Sequence, residues 1–211
     1  MRQTEAKEKQ EIDVSRLHFL IHPGFNSCPE DPDGEEDVTA TTPLDAYVRK
    51  AESLGQDEIM FIVLHVDERR LKKDALRGLQ YAKCIMRICE ILGLRAIVLH
   101  DWGATIFEEP TENLANTNVV RTAKRLARER GFRIPQDAES EAYGETLPVC
   151  VVNAAESLNM AFRLTNETII RTRLTDRIHA TNDDIQRVIR EIRALDNLDC
   201  IVFEEEMREG R

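Results

Sequence analysis

Three apolar runs of this chain each finish on a histidine. They read Phe19-Leu20-Ile21-His22-Pro23-Gly24, Ile62-Val63-Leu64-His65-Val66-Asp67 and Ile97-Val98-Leu99-His100-Asp101-Trp102-Gly103. Histidine is a general acid or base near neutral pH and a metal ligand when neutral. Carboxylates stand close to two of them, Asp67 two residues after His65 and Asp101 next to His100. Imidazole and carboxylate together form the kind of donor set that zinc or manganese takes, with a position left for water. A metal on His22, His65, Asp67, His100 and Asp101 would lower the pKa of that water and make it a nucleophile. The structural alternative is that each histidine bonds a nearby loop carbonyl.

A fourth candidate group follows the apolar run at 147–153. In Asn153-Ala154-Ala155-Glu156-Ser157 the small residues let a ligand approach the backbone, and a helix starting there could receive an anion. Asn153 is expected to orient a substrate and Glu156 to act as base. The alternative is close packing at Ala154-Ala155, with Glu156 favoured by the helix dipole.

These residues converge only if the elements carrying them lie side by side. The reading places strands at 17–22, 58–66, 94–99 and 147–153. Between them, helices run from the cap at Thr42-Pro43-Leu44-Asp45 to Gly55, expected as a left-handed end, over 68–92 and over 118–130. The order βαβαβαβ, with nearly continuous apolar strands, predicts a parallel sheet sandwiched between helices. Beyond it, 155–164 is read as a short helix, 168–174 as a half-exposed edge strand with an antiparallel direction left open, 181–195 as a capped helix and 200–203 as a last short strand.

The expected fold class is therefore α/β, a three-layer sandwich. Its sheet is mostly parallel, of about five or six strands, Rossmann-like or flavodoxin-like. Ligands bind such sheets at the carboxyl ends of the strands, at the switch point. A Rossmann-like order sets the first strand beside the fourth and pairs His22 with Asn153. A flavodoxin-like order pairs His22 with His100 and Asp101. One domain is expected over 16–204, with a mobile arm at 1–15 and a solvated tail at 205–211.

Bulk composition narrows the function. The chain has 211 residues, 42% of them hydrophobic, and a net charge of −10. That charge repels nucleic acid and anionic membrane surfaces. No stretch reaches the ~18 apolar residues of a membrane span, and the charged N-terminus reads as no secretory signal. The five cysteines are scattered, with no C-x-x-C, which suggests a reduced, cytoplasmic protein. The acidic loop at 26–42 does not have EF-hand spacing and reads as a solvated, mobile loop, the alternatives being a lid over the site or a Mg²⁺ or Ca²⁺ site.

Several chemistries are excluded by missing motifs. Pro23-Gly24-Phe25-Asn26 contains neither a dinucleotide fingerprint nor a P-loop, and there is no G-x-S-x-G. The H-P-D-D pattern of zinc deacetylases is absent, because Gly24 and Phe25 follow Pro23. Arg171 and Arg173 alternate on one strand and could grip a phosphate or carboxylate. A basic run lies at Arg121, Lys124, Arg125, Arg128, Arg130 and Arg133.

The leading expectation is a small enzyme acting on a small polar or anionic molecule, by hydrolysis at the strand rim. His22, His65, His100, Asp101, Asn153 and Glu156 are its catalytic candidates, and a divalent metal is left open as cofactor. The partner is a small-molecule ligand, with no nucleic acid or membrane and with homo-oligomers left open. The alternatives are a non-catalytic anion- or nucleotide-binding module of the same fold, or a scaffold subunit.

Overall fold

The computed structural model describes residues 11–23, 43–65, 75–101, 118–144, 150–175, 182–195 and 200–209. The elements in chain order begin with β1 (Ile12–Asp13), β2 (Arg16–Ile21), α1 (Pro43–Glu52), β3 (Glu58–His65), α2 (Ala75–Leu92) and β4 (Ala96–Asp101). They continue with α3 (Asn118–Glu129), β5 (Phe132–Arg133), β6 (Glu139–Gly144) and α4 (Val152–Phe162). Last come β7 (Thr168–Thr175), α5 (Asn182–Leu195), β8 (Ile201–Phe203) and α6 (Glu204–Glu209). The main sheet has six strands in the order β4-β3-β2-β6-β7-β8, and every pairing is parallel. Numbered along the chain, the six strands stand 3-2-1-4-5-6, the Rossmann order. The edge strand expected to run antiparallel is instead β7, an inner parallel strand between β6 and β8.

Alternation along the strands builds two cores. Leu17, Phe19 and Ile21 of β2 face one way, with Phe61 of β3, and pack on Ala123, Ala127, Leu158, Phe162, Ile189 and Ile192 of α3, α4 and α5. Leu20, Met60, Ile62 and Tyr143 face the other way and pack on Tyr47 and Ala51 of α1 and on Cys84, Ile85 and Ile88 of α2. Residues 59–63 of β3 are all buried because helices cover both faces of the sheet. The Cys84 thiol is pushed up to about 11 by burial, which keeps it an inert thiol.

Two expected elements fall elsewhere. The apolar run expected as a strand at 147–153 leads into α4, and the fourth strand of the sheet is the polar-looking segment Glu139–Gly144. α4 is apolar nearly all round, as a helix buried against a sheet and its neighbours must be, and in a short window that pattern cannot be told from a buried strand. Gly55 carries no positive φ, unlike Gly93 and Gly131. α1 ends instead on hydrogen bonds from Ser53 Oγ to the Lys50 carbonyl and from the Leu54 N–H to the Ala51 carbonyl.

The ends of the domain are better anchored than their composition suggests. Ile12 and Asp13 pair with Phe132 and Arg133, and Val14 is fully buried. Glu205, at the start of the expected solvated tail, and its neighbour Glu204 are buried beside β7 and accept hydrogen bonds from the Thr172 hydroxyl.

Candidate functional site

The strand order brings the three histidine-ended strands together as consecutive neighbours, β4-β3-β2. Ile21 pairs with Val63, Leu64 with His100, and His65 with Asp101. His22 therefore stands level with the Leu64–His100 row, and the His65–Asp101 pair lies one residue further out. With strands ~4.8 Å apart and a rise of ~3.3 Å per residue, these positions form one short ledge. For His65, His100 and Asp101 only the backbone is described; Asp67, Trp102 and the acidic loop at 26–42 lie outside the described residues. Among the described residues no group of three or more His, Cys, Asp and Glu side chains is placed to hold a metal ion.

His22 has two unusual features. It is 4% exposed, and its φ is 44°, the left-handed region that a residue with a Cβ adopts only at some strain. Its N–H donates to the Val63 carbonyl at 2.8 Å, which ties the turn after β2 to β3. On its other side β2 meets the end of β6. Gly144 has φ +140°, and a Cβ there would stand 2.0 Å from the Ile21 carbonyl oxygen. The residue across the switch point from the end of β2 is thus Gly144, where Asn153 was expected. Asn153 lies in the first turn of α4, half-buried, and Glu156 one turn further along the same helix, also half-buried.

A second polar constellation, at the other end of the strands, was missed in the sequence. Glu141 of β6 has a side chain only 1% exposed. The Lys50 ammonium of α1 lies 2.9 Å from it, the Arg171 guanidinium of β7 bonds it, and Arg16 of β2 stands 3.7 Å away. His18 of β2 is fully buried between Glu141, 3.6 Å from Nδ1, and Glu58, whose carboxylate accepts the Nε2 proton at 3.0 Å. The carboxylate that Arg171 grips is therefore the protein's own. A signal was available: His18 stands two residues before Leu20 inside the apolar run, and alternate residues of a strand share a face, so His18 falls at a core position.

The electrostatics of this cluster are those of a closed structural knot. Burial would raise the Glu141 pKa, but bonds and charge from Arg171 and Lys50 outweigh it, and the group titrates at about 2. Burial, assisted by the Lys50 charge, drives His18 down to about 4 against the pull of Glu141 and Glu58. His18 is thus neutral at pH 7. In the unfolded chain it takes its proton near 6.5. Between those values the unfolded chain binds a proton that the fold refuses, so stability falls as pH drops from 6.5 to about 4. Glu141 adds a further loss as pH falls through 4.5 toward 2. The urea midpoint is expected to decline from pH 6.5 downward, with up to about 3 kcal/mol from His18. His18→Gln should flatten that upper segment and leave the lower one; an unchanged slope in the variant would assign the effect to other groups.

No family model, curated protein or solved structure matches the chain.

Proposed function

We propose that this protein is a small α/β enzyme that binds a small polar or anionic molecule at the carboxyl rim of its sheet, at the switch point between β2 and β6, and hydrolyses it. The observation that carries the reading is His22, buried and left-handed at that point. Strained non-glycine residues concentrate at functional sites, where the surrounding fold sustains the strain, and the switch point is where open α/β sheets take their ligands. His22 serves as the acid–base group. His65, His100 and Asp101, on the neighbouring strand ends, and Asp67, which follows His65 in the sequence, are the further imidazole and carboxylate donors of this reading, enough for a divalent metal that would activate water. At the start of α4, Asn153 orients the substrate and Glu156 acts as a base.

Among the described residues no helix is long and apolar enough to cross a membrane, and a cytoplasmic setting with a small-molecule partner is part of the proposal. The test pairs turnover of p-nitrophenyl esters and phosphates, with zinc or manganese supplied, with the variant His22→Gly. Glycine adopts φ 44° without strain, so the variant should stay folded while turnover drops about 10²- to 10⁴-fold, the range for losing a general acid or base. Turnover unchanged in His22→Gly would remove the histidine from the mechanism. Ligand-induced stabilisation without turnover would identify a binding module in place of an enzyme.

A further inference from the structure

A groove of about 620 Å³ opens between the C-terminal half of α3, β5 and the last turn of α4. Both helices return from the carboxyl rim toward the start of the strands, so this groove lies at the opposite end of the molecule from His22. Its volume is within the range of small-molecule sites. Ala127 and Ala161, small residues on facing helices, leave the space open, and Phe132 and Phe162 are buried beneath it.

The mouth is cationic on a protein of net charge −10. Lys124, Arg128 and Arg163 line it and are exposed, and none of the three forms an ion pair with a carboxylate among the described residues. Nearby cations of the same region are engaged: Arg125 with Glu129, Arg133 with Asp13, and Arg130 with the Leu94 and Ala96 carbonyls. Glu11 is the one acidic residue in the lining, and it pairs with none of the three. The Lys124 ammonium stands 5.6 Å above the Phe162 ring, and burial with the Arg163 charge lowers its pKa. Arg163 caps α4 with φ 57°, a position glycine usually fills. The helix dipoles favour a cation at each C-terminus, which accounts for Arg128 and Arg163 but not for Lys124, more than a turn inside α3.

We propose that this groove binds a phosphate monoester of the size of a mononucleotide. The three cations take the phosphate dianion at the mouth, and the body of the ligand fills the space between the two helices and β5. A polyanion such as nucleic acid is disfavoured by the protein's net charge of −10.

The test is isothermal titration of the intact protein with AMP, inorganic phosphate, adenosine and a single-stranded oligonucleotide at matched salt. AMP is expected to bind more tightly than phosphate alone, adenosine not measurably, with affinity falling as salt rises. Lys124→Ala and Arg163→Gly should each weaken AMP at least tenfold. Arg163→Gly relieves the left-handed cap, so its melting temperature should not fall, which separates a ligand role from a structural one. His22→Gly should leave AMP binding unchanged, which separates this site from the rim. No heat with AMP at millimolar concentration, AMP binding indifferent to both groove variants, or binding of the oligonucleotide without AMP would each overturn the proposal.

Discussion

Glu141→Gln is expected to lower the unfolding free energy by about 3 kcal/mol, read as a reduced urea midpoint at unchanged m-value. The carboxylate lies in an inner strand with almost no solvent access, and three cations face it. An amide carries no charge to hold Lys50 and Arg171, and its NH₂ turns a donor toward one of them. Breaking a buried ion pair from one side costs about 3–5 kcal/mol, because the remaining charge is left uncompensated. The lower end applies here, since the Lys50 and Arg171 side chains are 21% and 30% exposed and water reaches them. Adding Lys50→Met to Glu141→Gln should recover part of the loss, because the stranded cation is removed. A single variant that lost less than about 1 kcal/mol would show that the cluster is solvated in solution.

Gly144→Ala should be at least as damaging, about 4 kcal/mol, and lower the melting temperature by about 10 °C. Two separate costs add. The backbone has φ +140°, which a residue with a Cβ adopts only under strain, and the added carbon would meet the Ile21 carbonyl oxygen at 2.0 Å and the Ile21 carbon and nitrogen at 2.8 Å. These are backbone atoms in a paired strand, so none can swing aside as a side-chain end would. The end of β2 must move, and His22 with it, so ligand binding at the rim should be lost together with stability. Gly93→Ala is the control. Its φ is +57° with nothing within 4 Å of the added carbon, and it should cost only about 1–2 kcal/mol. Equal losses at the two glycines would mean that the close approach of β6 to β2 is not maintained.

The strand–helix alternation was legible because periodicity is a local property. The apolar runs ending at His22, His65 and His100 announced β2, β3 and β4 to within two residues, and Pro43, Gly93 and Gly131 marked helix boundaries. Parallel pairing followed from that alternation, since each strand is carried back to the start of the sheet by a helix. From the sequence alone, three histidines could be placed at one rim of one sheet.

Only tertiary structure decided which strands touch. The order that sets β6 beside β2 is a choice between two windings with the same local patterns, and because the fourth strand is 139–144 and not 147–153 the neighbour of the β2 end is Gly144 in place of Asn153. The same long-range contacts explain the missed strand. Glu139-Ser140-Glu141-Ala142-Tyr143-Gly144 reads as a polar loop until Lys50, Arg171 and Arg16 arrive from three other elements to compensate Glu141. A buried charge is tolerated only where its partners are, and those partners lie at least 30 residues away in the chain. Hydrophobic pattern determined the elements; the pairing of charges and the close backbone approach at a single glycine decided how they are joined.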